Sequence, residues 1–322
     1  MIHLRIVSPT ACSDAVLETL EGNRSVCNVI HLQGVARDPE GDLFLADVAR
    51  EDASIVLADL KHLGVGRDGS IAITDVEAYV SDRAEAAVEH AQGAPSDAVV
   101  WEEVEAQTDE QIELSASFLG FMVLSAVLCA IAIFQDSPVL LVGAMVVGPE
   151  FGPIAGFCVA IATRRIDVAR RSGLALLAGF PLAIAATLLL ALVLRATGLT
   201  PDQFDGRDSS LSDLISHPDL FAFIVAASAG AAGVLSLSTA KSGAVIGVLV
   251  SVTTLPAASN VGIAIAYSDG DALAGSAGQL ALNLVAILVS GTTVLTLQRA
   301  HYARRRAKHL RDDAIPRQRP AA

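Results

Sequence analysis

The 322-residue chain has few cysteines and places none of them for chemistry. Cys12, Cys27, Cys129 and Cys158 show no C-x-x-C spacing, and two of them fall inside long apolar runs, so no disulfide framework or zinc site is implied and no metal is expected. The seven histidines include no His-x-x-x-His pair, and both the Gly-x-Ser-x-Gly elbow and the phosphate-cradling Gly-x-x-x-x-Gly-Lys are missing. These absences remove the usual footing for an enzyme: no catalytic residues and no cofactor are expected. Basic charge is scarce at the front. Residues 1–114 hold 7 Lys and Arg against 23 Asp and Glu, a net −16, which excludes a phosphate-binding surface and hence nucleic acid as a partner. The first residues also lack a basic stretch followed by a long apolar one. The expectation is that no signal peptide is present and that the first segment stays in the cytoplasm.

What the chain has is apolar length. Hydrophobic residues make up 52% of it and concentrate after residue 114, where 15 Lys and Arg face 12 Asp and Glu. Six apolar segments, roughly 115–134, 139–163, 173–197, 220–238, 242–267 and 273–297, each approach the ~20 residues that cross a bilayer as a helix. Their flanks differ in charge. Arg164, Arg165, Arg170, Arg171, Lys241 and the tail residues Arg299, Arg304, Arg305, Arg306 and Lys308 fall on one side. Asp136, Asp202, Asp205, Asp208, Asp213, Asp219, Asp269 and Asp271 fall on the other, with Arg207 the one exception. Basic loops stay inside. The expectation is a multi-pass protein of a bacterial inner membrane with both termini cytoplasmic.

Two of the segments are interrupted at their centres. Gly143 to Gly156 contains Gly148, Pro149, Glu150, Gly152 and Pro153, and Gly247 to Gly262 contains Thr254, Pro256, Ser259 and Asn260. Proline removes a backbone donor and glycine weakens a helix interior, so both are expected to be broken helices, with new helix amino termini after Pro153 and Pro256. Each half has three crossings, an odd number, so the second half enters the membrane upside down. The pattern is an inverted three-plus-three repeat, which places a solute site at the paired breaks. Gly148, Pro149, Glu150, Gly152, Pro153, Thr254, Pro256, Ser259, Asn260 and, on the last helix, Asn283 are the candidate path residues. Glu150 is the one carboxylate deep in the apolar region, where an ionised group costs roughly 2.5 kcal/mol or more. It would carry a proton, coordinate a cation or, if protonated, cap free amides. Ser251 and Thr253 add neutral donors, and Ser228 to Gly233 form a small-residue face suited to close helix packing.

The front of the chain alternates. Ile2, Leu4 and Ile6 have strand period, a helical pattern follows around Val16, Leu17 and Leu20, and strands at 26–32 and 43–48, a helix ending at Gly64 and a strand from Ile71 complete βαββαβ. That order fits a ferredoxin-like α+β domain over residues 1–92, and it resembles in topology the ACT class of small-ligand sensors, in which the first strand-to-helix turn, here Ser8 to Ser13, helps hold an amino acid. A docking or dimerisation module with no ligand is the competing reading. Residues 93–114 read as an acidic linker and juxtamembrane helix. Trp101, Val104, Thr108 and Ile112 lie near one face, and Glu102, Glu103, Glu105, Asp109, Glu110 and Glu113 are expected on a solvated one rather than in a cation sensor. The membrane domain spans 115–297 and a basic tail 298–322.

Gly143-Ala-Met-Val-Val-Gly-Pro-Glu-Phe-Gly-Pro153, Ala229-Gly-Ala-Ala-Gly233, Gly243-Ala-Val-Ile-Gly247 leading to Leu255-Pro256, and Asn283 together resemble a bacterial family of uncharacterised hydrophobic-domain membrane proteins, domain of unknown function 389. Glu150 and Ala257 depart from the apolar residue and the second proline expected there. The resemblance implies the membrane architecture and names no solute. The functional expectation is a transporter or channel for a small solute or ion, regulated by the first domain. The alternative is a membrane-anchored sensor or scaffold. Expected partners are membrane lipid, the solute or ion, a small-molecule effector on the first domain, and a second copy of the chain.

Overall fold

The computed structural model describes residues 1–91, 98–200, 209–238 and 254–313, and the chain divides into two compact units. Among the described residues the first comprises 1–91, 98–104, Ser238 and the tail from Arg305 to Asp313. Strands β1 (Ile2–Ser8), β2 (Val26–Arg37), β3 (Glu40–Val48) and β4 (Ser70–Asp75) form one sheet in the order β2-β3-β1-β4. Every neighbouring pair is antiparallel. Helices α1 (Ser13–Gly22) and α2 (Arg50–His62) follow β1 and β3. Alternation decides the faces: Ile2, Leu4 and Ile6 of β1 and Phe44, Ala46 and Val48 of β3 are fully buried against Val16, Leu20, Val56, Leu57 and Leu60. Each fully buried aliphatic side chain contributes about 1.5–3 kcal/mol, so this cluster is what holds the unit together. Past the end of α2, Gly64 takes the left-handed conformation (φ 84°) that only glycine adopts without strain, and the chain reverses into a one-turn helix, α3 (Val65–Asp68).

The acidic stretch after β4 holds two helices, α4 (Asp82–His90) and α5 (Trp101–Gln111). The hydroxyl of Ser81 caps α4 by accepting from the Ala84 N–H, and Ala84 and Ala87, three apart, are its buried face. On α5 and just beyond it, Trp101, Val104, Thr108 and Ile112 are all buried. The expectation of a solvated carboxylate face is corrected for Glu102, Glu103 and Asp109, while Glu110 and Glu113 are exposed as expected. Glu102 accepts from Lys61 and Ser54, and Glu103 from Arg50, within the first unit. Asp109 accepts from Arg165 and Arg171 in the second unit. Long basic side chains reach these carboxylates from sequence-distant elements, which periodicity along α5 does not reveal.

The second unit is helical: α6 (Ala116–Phe134), α7 (Pro138–Val147), α8 (Phe151–Thr163), α9 (Ile166–Ala196), α10 (Ser210–Ser216), α11 (Leu220–Ser238), α12 (Thr254–Tyr267) and α13 (Gly270–Asp313), the last residue of α11 and the end of α13 from Arg305 being assigned to the first unit. Four of these, α6, α9, α11 and α13, are long and apolar enough to cross a membrane, and α7 with α8 makes a fifth if that bent pair is one span. The expected segment 242–267 is described only from Thr254 on. Lys241, Gly243, Gly247, Ser251 and Thr253 lie outside the described residues. Ser115 and Ser137 cap α6 and α7, with Pro138 in the first turn where its missing N–H has no role to fill. The helices approach closely at glycine. A Cβ on Gly230 would meet the backbone of Ile287 at 2.7 Å, and one on Gly262 the carbonyl of Ile184 at 2.7 Å. The small-residue face of α11 is therefore a packing surface, as its composition suggests.

Candidate functional site

The first expected break is present. Helices α7 and α8 meet at 55° across Gly148, Pro149 and Glu150. Pro153 does not mark the restart. It is the third residue of α8, which begins at Phe151, and proline is tolerated there because the first-turn amides have no intrahelical acceptor. Gly152 and Gly156 also serve packing rather than the break: a Cβ on Gly152 would meet Gln111 at 2.9 Å, and one on Gly156 would meet Ser172 at 2.7 Å and the Ile112 side chain closer still. Residues Thr108 to Ile112 thus lie directly against α8.

Glu150 is 2% exposed. It occupies the position before the first turn of α8, yet its side chain caps no backbone amide. Instead it turns toward α12, where Thr254 Oγ1 donates to Glu150 Oε1 at 3.2 Å. Thr254 belongs to the second expected break, so residues of the two expected regions are in direct contact. Pro256, Ser259 and Asn260, however, lie inside the continuous helix α12, so no helix starts after Pro256, and what precedes Thr254 lies outside the described residues. The second oxygen, Oε2, has no hydrogen-bond partner among the described residues. Gly148 closes over it, since a Cβ there would strike both Glu150 Oε2 and Leu255 Cδ1. Among the described residues the carboxylate neighbours Thr254 and the apolar Leu255. Nearby on α6, Cys129 lies beside Ser125 and Ser259; Ser125 donates to the Ala144 carbonyl at 2.6 Å, and Ser259 donates to the Ala126 carbonyl at 3.2 Å. Carboxylate, hydroxyls and thiol supply proton-exchanging and cation-coordinating atoms with no opposing positive side chain among the described contacts.

The remaining candidates separate into other places. Pro149 is half-buried and Pro153 and Pro256 are buried, and they shape backbone without offering polar atoms. Asn260, adjacent to Ser259 but pointing elsewhere, is bonded to Ser212, Ser216 and Ser276. Asn283 accepts from Gln279 at 3.2 Å. Ser125, Cys129, Ser212, Ser216, Ser276 and Gln279 are members of these polar groups that sequence reasoning passed over. For Ser276, Gln279 and Asn283 a signal exists, because polar residues at i, i+3 and i+7 of an apolar helix share one face.

In the first unit, the turn from Ser8 to Ser13 is engaged internally. Asp42, held by the Ser13 hydroxyl, the Gly34 N–H and His31, has its carboxyl below the usual range. Glu51 at the start of α2 contrasts with it: 7% exposed, with neither carboxylate oxygen bonded among the described residues, it is pushed up by burial and by the neighbouring Asp52.

Helices with apolar outer faces, such as Leu177 and Leu189 of α9, and buried polar groups between them define an α-helical membrane-embedded protein. Residues 145–289 match the family model described as Domain of unknown function (DUF389), so the resemblance read from the motifs holds over the stretch containing both Glu150 and Asn283. No curated protein and no solved structure matches the chain.

Proposed function

We propose that the chain is a transporter or channel for a small solute or ion, built on six crossings in an inverted three-plus-three repeat. The observation that carries this reading is the contact of Glu150 with Thr254: a buried carboxylate at a helix break, bonded on one oxygen only, meets the other expected break. A buried, incompletely bonded carboxylate costs free energy, and an exchanging proton or cation offsets that cost. The basic and acidic flanks support an orientation with both termini in the cytoplasm of a bacterium. The strand order β2-β3-β1-β4 with helices after β1 and β3 supports a ferredoxin-like, ACT-like first domain that regulates passage on binding a small effector. Reconstituting the purified full chain into liposomes and following efflux of ions and neutral solutes tests the reading. Passage of at least one above protein-free vesicles is expected, and none would defeat it.

One observation favours the alternative of a membrane-anchored sensor or scaffold. The edge strand β2 leaves Ile30 49% and Leu32 43% exposed on the sheet face opposite the core, as a docking module would. An anchor, however, needs no bent pair and no buried carboxylate.

A further inference from the structure

Asn260 heads a second buried polar centre that contains no carboxylate of its own. Its amide is fully engaged by serine hydroxyls: Ser212 Oγ donates to Oδ1 at 3.0 Å, while Nδ2 donates to Ser276 Oγ at 2.8 Å and Ser216 Oγ at 3.5 Å. Ser212 and Ser216 sit four apart on α10, whose Leu211 and Ile215 pack into the cluster that contains Ile263 and Ala266 of α12. Ser276 begins the buried row on α13 that continues with Gln279 and Asn283. Within it Gln279 Nε2 donates to Asn283, but Gln279 Oε1 has no partner among the described residues although Gln279 is only 5% exposed. A carbonyl oxygen shut from water lacks a donor there, and a bound molecule with O–H or N–H groups would supply one. A cleft lined by Ser212, Asn260, Tyr267, Asp269 and Ala272 reaches the amide but is too narrow for a water molecule. The centre is closed, and Ser212 of α10 forms one of its walls.

We propose that Asn260, Ser276, Gln279 and Asn283 bind a neutral solute carrying several hydroxyl or amide groups, and that α10 is a plug whose Ser212 and Ser216 hold the places of solute hydroxyls. The inference rests on the solute-path reading and narrows it. Carboxamides and hydroxyls offer donors and acceptors together, which match a polyol or amide. The plug is fastened from outside itself: Asp136, on the turn between α6 and α7, accepts from the Leu211 N–H at 2.9 Å, Ser209 Oγ at 3.0 Å and Ser210 Oγ at 2.7 Å. Removing Asp136 loosens α10 without touching Asn260.

The test is osmotic swelling of liposomes containing the full chain, followed by light scattering with glycerol and erythritol as probes and potassium chloride as the ionic comparison. Wild-type protein is expected to admit the polyols faster than protein-free vesicles. Asp136→Ala should raise that rate roughly fivefold, the shift in the plug's equilibrium expected if losing these bonds costs about what losing a helix cap does, and Asn260→Ala should abolish it. Ser276→Ala deletes a single hydroxyl and should lower the rate, which keeps the test decisive where Asn260→Ala is not recovered folded. Polyol rates at the protein-free level in both wild type and Asp136→Ala, with proton or potassium flux intact, would overturn the inference and leave the solute path standing. Absence of every flux would overturn both.

Discussion

Gly148 and Gly143 are five residues apart, and the structure assigns alanine substitutions at the two positions opposite signs. At Gly148 the backbone (φ −66°, ψ 128°) is one any residue adopts, so alanine meets no conformational strain. The obstacle is space. Its methyl would collide with Glu150 Oε2 and Leu255 Cδ1, the ends of two side chains that are themselves buried, so relieving the clash forces both to repack. Overpacking of this kind costs about 1–3 kcal/mol. At Gly143, inside α7 and exposed, an added Cβ has nothing within 4 Å among the described residues, so the helical preference for alanine acts alone and stabilises by about 0.5–1 kcal/mol. The two variants should therefore differ by about 2 kcal/mol or more in thermal or denaturant unfolding of the detergent-solubilised protein. Gly148→Ala should also impair whatever flux the wild type supports. Equal stabilities for the two variants, or a stabilised Gly148→Ala, would show that Gly148 does not close over the carboxylate and would refute the site geometry.

Other consequences concern the first unit and the topology. Asp42 has a depressed pKa, so its contribution to stability is present above the ordinary carboxylate range and is lost as pH falls through its folded value. Asp42→Asn should lower stability at neutral pH by about 1–3 kcal/mol and flatten the acid limb of a Tm-against-pH profile. Glu51 has the opposite sign: with its pKa raised, its stabilising share is present below the unfolded value near 4.5 and is lost as pH rises through the folded one. Glu51→Gln should therefore raise the Tm at pH 7 relative to wild type and leave it nearly unchanged at pH 4. Asp109→Ala removes half-exposed pairs with Arg165 and Arg171, and unfolding should detect a loss of no more than about 1 kcal/mol. Cysteines introduced at the exposed positions 210 and 213 or at 269 to 271 should react with an impermeant reagent added outside cells, and those at 165 to 170 or 304 to 308 should not. External labelling near Arg304 would reverse the proposed orientation.

The parts legible in the sequence are those where one residue's neighbours along the chain decide its fate. Alternation at Ile2, Leu4 and Ile6 identified the buried sheet face, and Gly148-Pro149 marked the bend between α7 and α8 because proline lacks the donor that a continuous helix needs. The spacing of Trp101, Val104, Thr108 and Ile112 likewise marked the buried side of α5. What escaped depends on partners brought from far away. Nothing near Asp109 in sequence announces Arg165 and Arg171, and nothing near Asn260 announces Ser212. Glu150 was recognisable as an intramembrane acid, but its bond to Thr254, 104 residues on, required the fold. Pro153 misled because proline breaks a helix interior yet is accommodated in a first turn, and which of these applies depends on where the helix starts.

The central claim is that Glu150 takes part in passage as a charged or proton-exchanging group. The measurement that tests it most directly compares wild type, Glu150→Gln and Glu150→Asp in liposomes across an imposed pH gradient, with folding of each checked by its elution and Tm. Glutamine preserves size and the acceptor for Thr254 but cannot ionise. A folded Glu150→Gln protein with its pH-coupled flux lost, and a Glu150→Asp protein that keeps part of it, are expected. A Glu150→Gln protein as active as wild type across the gradient would contradict the claim.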